Sequence, residues 1–382
     1  MNVARLKPIT RRPAVIISAL LTVAVLSWFG VNRLVNRFHE QEKALARHLY
    51  ERGQRAQDAG NPEAALGDFR AALNYSHDNF QYELSLARAL RDTGRTAEAE
   101  TYLIGLWEHS PQEGPVNLAL GRLFAREQQF DKAVQYYHNA IYGLWASDPE
   151  VKRRTTQLEL IEFLLQHKAY PQAQAELTSM ASALPRDPSV RLQVAGLLVR
   201  AQDNEHAFSQ YQQILHIDPR NAAALYGAGQ AAFALGRYRT AQTHLQMAVR
   251  ENPENQQARH LLETATLISQ VDPFVARISD KERNKRLRSA FLRAGDRLDG
   301  CAKSQNIDLS PQLPANGLPG LEGQWVQIKP RLAKLSSSDG VLDQVMDLVF
   351  EIERQTQSIC GAPQDADQAL LLISQDRAGV EQ

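Results

Sequence analysis

Cysteine is nearly missing from this chain: Cys301 and Cys360 are the only two in 382 residues. No CxxC, CxxCH or Cys/His zinc spacing can be assembled from them. Ten histidines occur, but none after His260, so the last third of the chain has no imidazole to act as ligand or base. A GxSxG elbow, an HExxH pair and a phosphate loop are also absent, and the GLPGLEG segment at 317–323 lacks the GK[ST] that would hold a nucleotide. The expectation is a protein that is not an enzyme and has neither a metal site nor a cofactor.

Net charge is missing too. Lys plus Arg and Asp plus Glu number 43 each, but four of the basic residues (Arg5, Lys7, Arg11, Arg12) fall in the first 13, leaving 39 against 43. A mildly acidic body makes a poor nucleic-acid binder, since phosphate affinity rests on clustered Lys and Arg. The densest basic run, Lys281 to Arg297, is interrupted by Glu282 and Asp296 and carries no aromatic ladder. It reads as a solvated helix face.

One long apolar run is present. Residues 14–31, AVIISALLTVAVLSWFGV, contain no charge, and about 18 such residues approach the lower limit for a helix that spans a bilayer. The run exceeds the usual core of a secretory signal and is followed by no small-x-small cleavage site, so an uncleaved anchor is expected rather than a removed leader. Basic residues bias the leading flank over the trailing one (Arg33, Arg37, Lys43) by four to three. That bias places the N-terminal tail (1–13) in the cytoplasm and the body outside it, in the periplasm if the source is bacterial. Residues 32–45, with Leu34, Val35, Phe38 and Leu45 at helical spacing, would continue as a stalk.

The rest of the chain is periodic. Ala65, Ala99 and Ala133 stand 34 apart, as do Ala173, Ala207 and Ala241, and Pro185, Pro219 and Pro253 repeat likewise. Six units follow over 46–255, beginning near Ala46, Phe80, Gly114, Arg154, Pro188 and Ala222. Each reads as two short amphipathic helices with small residues at the crossing; Gly229, Ala232, Ala241 and Ala248 serve in the last. The pattern resembles the tetratricopeptide repeat (TPR) family. That resemblance implies an all-α fold: an α-solenoid of six helical hairpins, closed by a capping helix at 256–273. Between Ala133 and Ala173 the spacing widens to 40, which predicts a longer second helix in the third repeat, over Ala140 to Ser147. Lys168 and Gln202 replace the usual turn glycine, so looser turns are expected there.

Residues 274–382 read as a small helical bundle of three helices and a tail: about Asp280 to Ala302, Gln324 to Leu335 and Asp339 to Cys360. In an up-down-up order the first and third helices are parallel and their C-terminal ends meet. Cys301 and Cys360 stand at those ends, either as a disulfide or as two buried thiols; an extracytoplasmic body would permit the disulfide.

The TPR resemblance further implies a concave face lined by the first helix of each repeat, where protein partners bind. Carried over residue by residue, that face includes Arg88, Arg91, Arg122 and Arg126, and Tyr226, Gln230 and Phe233. The arginines could hold an acidic segment or a C-terminal peptide carboxylate, or could instead pair with Asp58, Asp92 and Glu162 as a solvated face. The carboxylate clamp of chaperone-cofactor TPR domains is not reproduced, since its slots hold Tyr50, Gln54, Pro115 and Ala119. The functional expectation is a membrane-anchored scaffold for assembly or maintenance of an envelope complex. The alternative is a cytoplasm-facing adaptor regulating an envelope biosynthetic pathway.

Overall fold

The computed structural model describes residues 11–182, 184, 186–310, 316–334 and 339–380. Among the described residues the chain is wholly helical, with seventeen α-helices and no strand. It divides into two compact units, 1–163 and 164–382.

In the first unit, α1 (Arg11–Asp58) runs unbroken for 48 residues, so the expected anchor, the stalk and the first helix of repeat one are a single rod. Then come α2 (Pro62–Tyr75), α3 (Phe80–Asp92), α4 (Thr96–His109), α5 (Gly114–Arg126) and α6 (Phe130–Tyr142), and most of α7 (Pro149–Gln166). Asn61 and Asn79 cap α2 and α3, each accepting a backbone N–H with its side chain, which stabilises a helix start by about 1 kcal/mol. Helix pairs close on small side chains. Ala65, Ala87, Ala99 and Ala133 are fully buried, and the Phe69 ring occupies the space a Cβ on Gly53 would need.

The third repeat departs from expectation. Its second helix is not lengthened: α6 ends at Tyr142, and residues 143–148 fold back on the start of α5. Leu144 donates its N–H to the Gln112 carbonyl at 2.7 Å, Gly114 donates to the Leu144 carbonyl at 2.9 Å, and the Trp145 indole sits against Gly114. The added residues form this return loop and an early start to α7, which has 18 residues against 13 in α5. Pro149 fits such a start, because proline is pre-set for the first helical turn.

The anchor expected at 14–31 is not confirmed. Among the described residues no helix is long and apolar enough to cross a membrane, and the side chains of 14–16 and 19 lie outside those described, as do residues 1–10 of the basic tail. The described apolar side chains of this stretch are solvent-exposed, including Leu20, Leu21, Val25, Leu26, Trp28 and Phe29.

The second unit contains α8 (Tyr170–Ser182), α9 (Pro188–Arg200), α10 (Asn204–Ile217), α11 (Ala222–Ala234), α12 (Tyr238–Glu251) and α13 (Gln256–Val271). The Pro185 slot lies outside the described residues. The turns at Lys168 and Gln202 are not looser. Both residues adopt left-handed φ values, 57° and 63°, as Gly236 does at 69°. The same paired hydrogen bonds close all three: Ala169 N–H to Leu164 O, Asp203 N–H to Leu198 O and Arg237 N–H to Ala232 O, each at 2.9 Å. This is the Schellman closure, and a non-glycine residue adopts it at a cost of about 1–2 kcal/mol.

Four helices follow rather than three and a tail: α14 (Asp280–Gln305), α15 (Leu318–Ile328) running into a 3-10 turn (Lys329–Lys334), α16 (Asp339–Cys360) and α17 (Asp365–Val380). The expected tail is α17, which buries Ala369, Leu370 and Ile373. Residues 311–315 of the linker and Leu335 lie outside the described residues. Trp325 stacks on Phe291 at 5.4 Å and donates to the Phe291 carbonyl at 3.0 Å. The expected capping helix is shared. In α13, Ala258 and Ala265 pack against α11 and α12, while Ile268 joins the core built by α14, α16 and α17. Arg286 fastens this junction by donating to the carbonyls of Ser269 and Asp272 at 2.8 and 2.9 Å, so part of the basic run is structural.

Two glycines in this unit give a direct check on close packing. A Cβ on Gly229 would lie 2.6 Å from Leu245 Cγ, whereas one on Gly196 meets nothing within 4 Å. Gly229→Ala is expected to destabilise by about 1–3 kcal/mol and Gly196→Ala to stabilise by about 0.5–1 kcal/mol. Thermal unfolding of the two variants should shift in opposite directions.

Candidate protein-binding face

Within the first unit, α3 and α5 place Arg88, Arg91, Arg122 and Arg126 together, and three of the four are already engaged by partners within the fold. Arg122 makes a bidentate pair with Glu159 of α7, both contacts at 2.7 Å, and Tyr137 donates its hydroxyl to the same carboxylate at 2.8 Å. Three charge-assisted bonds occupy Glu159 and keep it ionised: burial opposes its charge, but the Arg122 contacts outweigh burial and hold its pKa below the usual value. Burial, then Glu159, pushes the Tyr137 phenol well above its ordinary range. Arg91 gives Nε and one terminal nitrogen to Asp92 at 2.9 and 2.7 Å, and Gln57 also reaches Asp92, at 3.3 Å. Arg126 donates to the Arg91 carbonyl at 2.8 Å.

Arg88 differs from the other three. Its side chain is half-buried, and Nε is sealed from solvent with no acceptor; Nη1 of Arg91 is sealed and unpaired as well. Burial first, then the like charges of Arg122 and Arg91, pull the Arg88 pKa down to about 10. Tyr50 of α1, stacked on Tyr82 at 4.5 Å, hydrogen-bonds Ser85 at 3.3 Å and Gln54 at 2.8 Å beside this cluster. Arg91 therefore pairs with Asp92, one of the acids the spacing offers, and Arg122 with Glu159, which the spacing does not single out. Glu159 was missed because the early start of α7 was not legible in the period.

In the second unit, Tyr226, Gln230 and Phe233 of α11 do converge. With Gln256, Gln257, His260 and Leu261 of α13 they line a cavity of about 500 Å³. Tyr226 donates to Gln257 at 3.3 Å, and Phe233 meets Tyr238 edge-on at 5.2 Å. Two aromatic rings, an aliphatic and three amide side chains on one face can hold an extended peptide, the amides reaching its backbone and the rings its side chains.

The same unit holds a second polar cluster. Cys301 and Cys360 are joined by a disulfide with Cα atoms 5.8 Å apart, a closure that stabilises by about 4 kcal/mol in the chain-entropy model. One turn before each cysteine, Arg297 of α14 donates to Thr356 of α16 at 2.9 Å. Glu353 is fully buried; Arg297 Nε is 3.1 Å from its Oε2, yet neither carboxylate oxygen gains a well-directed hydrogen bond. Burial, then the nearby Asp367 of α17, raises its pKa to about 8 despite Arg297 and Arg293. Asp367 is itself shifted upward, chiefly by burial. Parallel helices joined at their C-terminal ends signal the Arg297–Thr356 pair in the sequence, whereas nothing in the apolar stripe of α16 marks Glu353.

Among the described residues no group of three or more His, Cys, Asp or Glu is placed to hold a metal ion. Two family profiles match the chain, both described as tetratricopeptide repeat: one over residues 198–265, the other over 50–111 and 84–149. Similar solved structures include YrrB, described as a TPR protein with an unusual peptide-binding site, at 18% identity over 50% of this chain and 96% of that one, with a TM-score of 0.37. PilF of Pseudomonas aeruginosa is 18% identical over 58% and 97%, TM-score 0.38. PilW, described as a widely conserved type IV pilus biogenesis factor, is 15% identical over 57% and 98%, TM-score 0.38. With TM-scores below 0.5, these likenesses carry no argument about this chain.

Glu353 makes stability depend on pH in a defined direction. Its pKa is raised in the folded chain, so the protonated form is favoured on folding; its stabilisation is complete below the ordinary carboxyl range and lost as pH rises through about 8. Glu353→Gln mimics the protonated state. The melting temperature of the parent should fall more steeply than that of the variant between about pH 5 and pH 9; equal slopes would place the titration elsewhere.

Proposed function

From a chain that carries tetratricopeptide repeats, we propose a membrane-anchored scaffold that binds protein partners on the inner faces of its repeats and serves assembly or maintenance of an extracytoplasmic envelope complex. One observation carries the anchor. The uncharged stretch around residues 17–31 belongs to the same unbroken helix as repeat one, and its described apolar side chains are exposed on every side of that helix. A helix apolar all round needs an apolar surrounding, and lipid supplies it. The Cys301–Cys360 disulfide supports an oxidising compartment for the body. The cytoplasmic adaptor is the alternative, and free thiols in the native cell would favour it.

Two experiments test this reading. Membranes from cells making the full chain are washed with alkaline carbonate; the parent should stay in the pellet, and Leu21→Arg/Val25→Arg should move to the supernatant. A parent that washes off sinks the anchor. On the binding side, partners are crosslinked to the full chain in cells and compared with Tyr226→Ala/Gln230→Ala. That pair should reduce the crosslinked species about tenfold or more, as loss of central contacts does, while half-buried Arg95→Ala leaves it unchanged. Equal crosslinking in all three would remove the α11 face from the binding surface.

A further inference from the structure

The four inner-face arginines of the first unit were read together as a basic strip, yet their partners make them unequal. Arg122 is locked on Glu159, Arg91 on Asp92 and Arg126 on a main-chain carbonyl. Among the described residues Arg88 has no hydrogen bond and no ion pair. Arginine is always cationic in proteins, and a desolvated guanidinium without a counter-charge is costly. The fold compensates it only in part: Arg91 and Arg122 beside it add repulsion, and Asp92 and the Tyr50 oxygen offset some of this. An unpaired nitrogen of Arg91 adds a second unanswered donor to the cluster.

We propose that Arg88, through the terminal nitrogens of its guanidinium, is the receptor for a single carboxylate presented by an extended peptide of the partner. This rests on the reading of the inner face as a partner-binding surface. A carboxylate matches the planar fork of a guanidinium with two parallel bonds. The neighbouring charges limit the site to one: Asp92 and Glu159 stand in the same cluster, so a dianionic phosphate or a run of acids would meet repulsion that one monoanion avoids. The strip is thereby narrowed from an acidic segment to one acidic group, either the C-terminus or one Asp or Glu side chain.

The test reads the arginine Nε–H resonances of the full chain, labelled with ¹⁵N-arginine, and assigns Arg88 by its loss in Arg88→Lys. Sodium acetate is titrated against sodium chloride at matched ionic strength. The Arg88 signal should move saturably with acetate and not with chloride, while that of Arg122 stays still. Blocked pentapeptides with one carboxylate, either terminal or on a single Glu, should then saturate the shift at one-tenth the acetate concentration or less, and fully amidated controls should not. An Arg88 signal that ignores acetate, or follows chloride equally, overturns the proposal; peptides no better than acetate overturn the peptide as its source. Arg88→Met keeps the aliphatic stem and removes the charge, so its melting temperature should equal or exceed that of the parent. A drop of several degrees would show that the fold already satisfies this guanidinium, and would also overturn the site. If the site fails while Tyr226→Ala/Gln230→Ala still reduces crosslinking, the inner face remains a binding surface and only Arg88 leaves it.

Discussion

Close approach of paired helices at small side chains is the constraint on which the repeats depend. A single helical hairpin of this size cannot bury an apolar face alone, and neighbouring hairpins supply the rest. For them to do so, alanine or glycine must stand where backbones cross. Ala65, Ala99 and Ala133 in the first unit, and Ala207, Ala241 and Ala258 in the second, are buried completely. Gly53, Gly227 and Gly229 leave space that Phe69, Tyr211 and Leu245 fill. Because packing at these slots is what each repeat contributes, the outward and inner-facing positions are free to vary. Function is written there.

On the inner face of the first unit that freedom is used for charge. Arginines from consecutive repeats are brought together, and the fold holds three of them: Asp92 holds Arg91, Glu159 holds Arg122 and the Arg91 carbonyl holds Arg126. The result is neither an open basic strip nor a neutralised surface. In the second unit the corresponding positions carry aromatic and amide side chains over a cavity.

The C-terminal helices follow a different logic. They pack onto α13, are stapled by a disulfide, and enclose a buried Glu353 beside Arg297 and Asp367. A carboxyl in such surroundings is cheaper neutral than charged, so the fold couples its stability to pH in the range where most carboxylates are already ionised. The covalent link and the Arg297 bridge tie α14 to α16.

The amino-acid sequence by itself determined the all-α class, the tetratricopeptide repeats, and the small slots on which they close, because each is a local periodic pattern that a 34-residue spacing makes visible. It also showed the uncharged stretch ahead of them. Only the tertiary structure decided how the six extra residues of the third repeat are spent. A loop that folds back on α5 through Gln112, Gly114 and Trp145 depends on contacts between segments about 30 residues apart, which no local pattern encodes. Lys168 and Gln202 close turns as tightly as glycine does, because the helices on either side impose the geometry and override local preference. The same holds for the arginines. Their shared face could be read from spacing, but that Arg122 finds a carboxylate while Arg88 finds none depends on where α7 begins and therefore on where Glu159 lands.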